Sequence, residues 1–310
     1  MAEQILSLVL PVLVMIALGR LCCARGVLND ERHRGLKDLI GNVLLPVVLF
    51  NAFFTADYSA RMLLVFAAVF LSCGAALAAG YALRRFAAPY GRFMPLLMTG
   101  FEGGMLGYAL FGLLYGQGSL STFAMADVGQ TTFAYTVFLA ALRSAAGERT
   151  DAKSIMRGML TNRAFLGMLL GILLGALGVG RRLLPTAAGT VLSAIISFVS
   201  APTSALILLV VGYQLNLSRA LLRPVLTTIG LRLAVMAALC AVTSWIIFTL
   251  TPFDHRLMTA LLLLFSLPAP FIIPLFADVG DQGEYISTTL SLSTLVTVAL
   301  YALIAAYAMA

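Results

Sequence analysis

The sequence predicts an all-α integral membrane protein: ten transmembrane helices, arranged as two inverted five-helix repeats, with helices 4 and 9 broken. Three observations predict it. Of 310 residues, 61% are hydrophobic and only 11% charged, with a mean hydropathy of +1.00, whereas soluble domains carry about 25% charged residues. Ten mostly apolar runs are long enough to cross a bilayer, which takes roughly 20 residues each. The longest polar stretch, Arg143 to Arg163, falls midway and leaves five runs on either side. The composition excludes a water-soluble globule and a disordered chain. Four cysteines in this length exclude a disulfide scaffold.

The spans are about 5–22, 37–55, 61–83, 93–116, 120–142, 163–179, 187–212, 225–250, 257–277 and 284–308. They read as helices because lipid leaves only helices or closed barrels, and period-2 alternation is lacking. The start does not read as a cleavable signal, since Glu3 stands where a basic residue is needed. It is expected to be a retained span. Residues 1–143 form the first repeat, 144–162 a cytoplasmic connecting loop and 163–310 the second repeat.

Basic residues set the orientation. The odd-numbered loops hold fifteen Lys and Arg, among them Arg25, Arg84, Arg143, Arg149 and Arg223, against four on the other side, Arg61, Arg181, Arg182 and Arg256. The odd-numbered loops are therefore expected in the cytoplasm and both termini outside, in a cell inner membrane. No basic domain is left to hold nucleic acid. Arg232 lies inside span 8 and is expected to snorkel to the cytoplasmic surface, in preference to a role as counter-ion.

Five spans per half make the halves enter the membrane in opposite directions, the topology of an inverted repeat. Pro46 in span 2 corresponds to Pro202 in span 7. Gly103, Gly104 and Gly107 in span 4 correspond to Pro268, Pro270 and Pro274 in span 9. Glycines and prolines at these places break helices. Breaks at membrane depth are tolerated where they line a cavity or are buried in protein. Paired breaks point to a transporter's substrate site, with half-helix N-termini suited to an anion. Gly103, Gly104, Gly107, Pro268, Ala269 and Pro270 would frame that site, with Asn42 and Asn51 as weaker candidates. Gly167, Gly171 and Gly175 form a close-packing ridge in span 6.

Glu102 lies about ten residues into span 4, where a carboxylate costs at least a few kcal/mol unless paired, hydrated or protonated. It reads either as a proton carrier or cation ligand, or as a permanently paired structural group. Asp127 and Gln130 are three apart and share a helix face, followed by Thr131 and Thr132. Glu102, Asp127 and Gln130 are the ion-coupling candidates. Asp127 reads equally as a polar contact to the neighbouring broken helix. His33 and His255 are expected in loops without metal-ligand spacing. No catalytic motif, metal or cofactor is expected, only H+ or Na+ as coupling ion.

The chain resembles the auxin efflux carrier family, particularly its bacterial malate- and malonate-transporter-like members. The resemblance rests on Leu10-Pro11, Ile16-Ala17-Leu18-Gly19-Arg20 and Arg25-Gly26-Val27-Leu28 in the opening helix and loop. It continues in Asn42-Val43-Leu44-Leu45-Pro46, in Gly104-Met105-Leu106-Gly107 of the fourth-helix crossover, and in Leu267-Pro268 with Pro274-Leu275-Phe276-Ala277 of the ninth. Ile286-Ser287-Thr288 is similar to the start of the tenth helix. The resemblance implies a bile-acid-symporter-like fold, scaffold and crossover domains moving as an elevator, and transport of small organic anions. The family's crossover Asn falls on Glu102 and its crossover Pro on Ala109. An Asn amide binds a carboxylate, whereas an ionised Glu repels one. Either Glu102 is protonated when an anion binds, or the substrate is neutral or cationic. In span 6 the family's Asn-Pro is here Asn162-Arg163.

The expected function is secondary active transport of a small carboxylate or dicarboxylate-like metabolite, coupled to H+ or Na+. A membrane-embedded enzyme and a channel are the other classes. Partners are the small-molecule substrate and the bilayer, with a homodimer left open.

Overall fold

A computed structural model of the chain describes residues 2–56, 58–147, 152–215, 218–273 and 279–309. The described residues are 85% helix and contain no strand. Arg149 of the connecting loop and the quoted segment Pro274-Leu275-Phe276-Ala277 lie outside the described residues.

Six helices among the described residues are long and apolar enough to cross a membrane: Leu6–Ala24, Asp30–Phe54, Ala60–Ala87, Ala187–Gln214, Leu222–Leu250 and Gly280–Ala308. They correspond to expected spans 1, 2, 3, 7, 8 and 10. Expected spans 4, 6 and 9 contain shorter apolar helices, Gly103–Tyr115, Arg163–Ala176 and His255–Ser266. The region of span 5 runs as Leu120–Phe133, a π-helical turn Ala134–Phe138, and Leu139–Ala146.

Local chemistry explains where the short helices begin and end. The Asn162 side chain accepts the Phe165 N–H at 2.9 Å and starts Arg163–Ala176 without help from a proline. Gly178, at φ +72°, stops the chain just beyond it. Asp254 caps His255–Ser266 by accepting from Arg256 and Leu257 N–H. That helix ends because Pro268 follows Leu267. The residue before a proline is pushed out of the helical region, and Leu267 sits at φ −66°, ψ 152°.

The described chain divides into two compact units, each drawing on both halves of the sequence. The first comprises Met1–Leu63, Gly104–Met125 and Met156–Gln214; the second comprises Leu64–Gly103, Ala126–Ile155 and Leu215–Ala310.

In the first unit, helices touch backbone to backbone at glycines. Gly19 and Gly212 face one another's helices: a Cβ on Gly212 would stand 2.0 Å from the Ile16 carbonyl oxygen. One on Gly19 would stand 2.1 Å from that of Leu209. The expected ridge behaves the same way, since Gly167, Gly171 and Gly175 lie against the carbonyls of Pro46, Phe50 and Phe53. Both matched prolines interrupt their helices. Pro46 follows a π-helical turn, Ile40–Leu44, because its ring and missing N–H disrupt the bond to residue 42. Pro202 lies in the turn between Ala187–Ser200 and Thr203–Gln214.

The two histidines depart from expectation. His33 lies on helix Asp30–Leu39, which Asn29 caps, and is buried. Its ring stacks on Tyr213 at 4.3 Å, and the Tyr213 hydroxyl donates to Asp30 at 2.7 Å. His255 is the first residue of a helix and stacks on Tyr307. A strongly charged segment reads as a loop, but an N-cap and an aromatic neighbour make it a helix.

The second unit is joined by polar contacts between long helices. Ser72 and Thr243 share a hydrogen bond at 2.7 Å, and Thr228 and Tyr285 one at 2.6 Å. The helix Gly283–Ala308 buries a row of hydroxyls, including Thr288, Thr289, Ser291, Thr294 and Thr297.

The glycine contacts generate a stability prediction. Gly212→Ala presses a methyl group into main chain that cannot rotate away, so it costs about 1–3 kcal/mol. Gly230, in a long helix with nothing within 4 Å of its would-be Cβ, is the control. Thermal unfolding in detergent should show a clear drop in midpoint for Gly212→Ala and none for Gly230→Ala.

Candidate functional site at two helix breaks

Two interrupted helices meet inside the second unit. The first interruption follows the short helix Met94–Leu97. The chain is irregular from Thr99 to Glu102, and Gly100 takes φ +68°, a conformation L-residues with side chains rarely adopt. A Cβ at Gly100 would also stand 2.9 Å from Pro270 Cγ. The second interruption is Leu267-Pro268-Ala269-Pro270, buried throughout.

The breaks bond to each other. The Glu102 N–H donates to the Pro268 carbonyl at 2.9 Å. The Phe271 N–H donates to Glu102 Oε2 at 2.5 Å. Glu102, 7% exposed, thus uses its backbone as donor and its side chain as acceptor toward the same neighbouring segment. Its carboxylate takes up an N–H that the proline-broken chain leaves without an intrahelical partner. This N–H is of the kind the sequence suggests for an anionic ligand.

The carbonyl ends are held by Arg232. Its guanidinium, 4% exposed, donates to the Leu97 carbonyl at 2.8 Å, the Gly100 carbonyl at 2.7 Å and the Leu267 carbonyl at 3.0 Å. The group also lies 5.8 Å from the centre of the Phe101 ring. The expectation that Arg232 snorkels to a membrane surface is therefore corrected. Snorkelling relieves a long cation on a helix that faces lipid, but here three main-chain oxygens offer better partners inside the protein. Each buried carbonyl left unpaired would cost roughly 1–3 kcal/mol. Thr297 adds a further contact at the same helix end, donating to the Ser266 carbonyl at 2.5 Å.

Asp127, 1% exposed, lies on helix Leu120–Phe133. Gln130 Nε2 donates to its Oδ1 at 3.0 Å, and the Thr131 hydroxyl donates to its Oδ2 at 2.8 Å. Thr132 instead donates to the Val128 carbonyl. The carboxylate presses on the first break, since a Cβ on Gly103 would stand 2.2 Å from Asp127 Oδ1 and 3.3 Å from Gln130 Nε2. Only a glycine lets the side chain approach so closely. Tyr135, in the π-helical turn Ala134–Phe138, lies within electrostatic reach of Glu102 and Asp127.

The structure thus brings together Glu102, Gly103, Asp127, Gln130, Pro268, Ala269 and Pro270 in the second unit. Gly104, Gly107, Asn42 and Asn51 belong to the first. There Asn42 is exposed within its π-helical turn and Asn51 is half-buried. Gly104 lines a narrow cleft together with Tyr108, Gln117, Thr203 and Ser204. The Thr203 hydroxyl there is buried without a hydrogen-bond partner among the described residues.

Sequence reading misplaced Arg232 and passed over Tyr135 and the buried hydroxyl row. The row had a signal, Ile286-Ser287-Thr288-Thr289-Leu290-Ser291-Leu292-Ser293-Thr294, an unusual density of hydroxyls for a lipid-facing helix. Arg232 had one too, since a lone intramembrane cation is a functional-site candidate by default.

Over residues 4–154 the chain matches the family described as Membrane transport protein. No curated protein matches it. The matched stretch includes Glu102, Asp127 and Gln130; Arg232 and the second break lie beyond it.

The tight seat of Asp127 on Gly103 generates a coupling prediction. Gly103→Ala should destabilise the protein by about 1–3 kcal/mol, because the new methyl displaces the carboxylate. In an Asp127→Ala background the same change should cost at least about 1 kcal/mol less, a typical coupling for residues in contact. A thermal double-mutant cycle measures this, and strictly additive costs would contradict the contact.

Proposed function

We propose that the chain, whose residues 4–154 match the family described as Membrane transport protein, is a secondary active transporter of a small carboxylate-bearing metabolite, driven by protons and working by an elevator-like motion. The observation that carries this reading is the reciprocal pairing at Glu102: its N–H to Pro268 and its carboxylate to the Phe271 N–H. A buried carboxylate bound across two broken helices is a group whose protonation acts on both at once. Charge-assisted hydrogen bonds are roughly twice as strong as neutral ones. Proton uptake at Glu102 weakens its hold on the Phe271 N–H and frees that donor for a substrate carboxylate. Substrate anion and proton then enter together, which is the logic of symport.

The wider architecture we propose is the ten-span inverted repeat in a cell inner membrane, with both termini outside and crossover helices at spans 4 and 9. Two features support it. The first unit contains the regions of expected spans 1 and 2 together with 6 and 7, their repeat partners, and also Gly104–Met125 from spans 4 and 5. The matched prolines, Pro46 and Pro202, interrupt their helices at corresponding places. Grouping by repeat pairs rather than by chain half is what an elevator with separate scaffold and crossover units requires. Asp127 and Gln130 join Glu102 as the ion-coupling set in this reading, and Gly103, Pro268, Ala269 and Pro270 frame the substrate by backbone groups.

A second reading has its own observation. If Glu102 stays ionised, the seat at Phe271 is already filled by a carboxylate, and the substrate is neutral or cationic.

Uptake into proteoliposomes separates these readings. Purified protein is offered mono- and dicarboxylates, neutral metabolites and organic cations, with imposed H+ or Na+ gradients. Carboxylate uptake should rise several-fold with an inward proton gradient, and Glu102→Gln should lose that dependence. Uptake of neutral or cationic solutes alone establishes the second reading. A pH profile unchanged in Glu102→Gln removes Glu102 from coupling.

A further inference from the structure

Three main-chain oxygens converge on one buried point in the second unit. They come from Leu97 at the end of one helix, Gly100 in the first break and Leu267 at the end of another. Leu97 and Gly100 lie three residues apart on one stretch, and Leu267 lies 167 residues beyond Gly100 on another. The geometry is that of a cation seat. Carbonyl oxygens are hard ligands of the kind that bind alkali cations, unwound carbonyls and half-helix C-terminal ends coordinate Na+ in other transporters, and helix C-termini carry partial negative charge. The seat in this chain is filled by one of its own side chains, through hydrogen bonds. All three described hydrogen bonds of the Arg232 side chain go to these oxygens, and the flat face of Phe101 lies nearby. Arg232 itself is anchored mid-helix in Leu222–Leu250, one of the long rigid elements of the unit.

We propose that Leu97, Gly100 and Leu267 form a monovalent-cation seat permanently occupied by the Arg232 guanidinium, which makes Arg232 the positioning residue that holds the two breaks in register without any bound alkali cation. A planar fork with several N–H donors can reach carbonyls on different strands of chain at once, which a Lys ammonium on its flexible stem does less well. The seat lies beside Glu102. Leu267 directly precedes Pro268, and Gly100 stands two residues before Glu102, whose N–H bonds the Pro268 carbonyl. Holding their carbonyls fixes where the Glu102 carboxylate meets the Phe271 N–H. The consequence for coupling rests on the transporter reading: the crossing needs no Na+ to keep its shape, which leaves the proton as the driving ion.

The experiment reads the crossing directly as well as transport. Backbone hydrogen exchange is followed in peptides covering 98–103 and 267–273, for wild type, Arg232→Ala and Arg232→Lys in detergent, while uptake is measured in proteoliposomes. In Arg232→Ala, exchange in both peptides should speed up at least tenfold while the remainder of Leu222–Leu250 stays protected, and uptake should fall at least tenfold. Millimolar guanidinium should restore protection and uptake in that variant, and urea, its neutral isostere, should not. Arg232→Lys should fall between wild type and Arg232→Ala. Exchange that is unchanged in folded Arg232→Ala, or that guanidinium and urea affect alike, overturns the proposal. Should both variants fail to fold, the wild type decides alone: replacing all Na+ and K+ by choline should leave exchange at the breaks unchanged, and faster exchange overturns the proposal. A wild type that carries no solute at all refutes the transporter reading and leaves the exchange result standing for the seat.

Discussion

An interrupted helix inside a membrane protein must find new partners for the backbone groups it exposes, because no water is at hand to take them. In this chain two interruptions are placed so that each satisfies the other, and a single buried arginine satisfies much of what is left. The Glu102 N–H and the Pro268 carbonyl pair directly, the Glu102 carboxylate accepts the Phe271 N–H, and Arg232 collects three carbonyls. The rest of the site follows from that constraint. Gly100 must be a glycine to make the turn and to leave room for Pro270. Gly103 must be a glycine to admit Asp127. Asp127 is in turn held by Gln130 and Thr131.

The two units solve helix packing in different ways. Apolar solvent gives no hydrophobic drive for helices to associate, so small residues and interhelical hydrogen bonds carry the contact. The first unit relies on small residues, with Gly19, Gly212 and the row from Gly167 to Gly175 bringing backbones together. The second relies on hydroxyls, from Ser72 and Thr243 to the buried face of Gly283–Ala308. Hydroxyl contacts suit a unit that contains broken helices, because they supply donors to stray carbonyls, as Thr297 does for Ser266.

Charge placement gives the site its chemical character. A carboxylate and a guanidinium, both buried, serve opposite ends of broken helices: Glu102 meets an N–H and Arg232 meets carbonyls. Each sits where the local backbone dipole favours its sign. The arginine is effectively always charged, whereas the glutamate can take up a proton. The pair therefore combines one fixed element and one adjustable element within the same crossing. That asymmetry is why coupling is proposed for Glu102 and positioning for Arg232.

Much of this was legible in the amino-acid sequence. Hydropathy alone determined an all-helical membrane protein, and proline and glycine stereochemistry placed breaks at Phe101–Gly107 and at Leu267–Pro270; the first falls at Thr99–Glu102, with Gly103–Gly107 already a π-helical turn of the next helix. The i, i+3 spacing put Asp127 and Gln130 on one face, and the four-residue glycine repeat marked a packing ridge. These signals act within a few residues, so they survive in a linear reading. Tertiary structure alone decided which orphaned group met which partner. Arg232 looked like a snorkelling cation because its partners lie 35 to 135 residues away. His33 looked like a loop residue because Tyr213 is equally remote in sequence. Hydrogen-bond satisfaction in a buried site is a property of groups that meet in space, and chain-local preferences carry no record of those meetings.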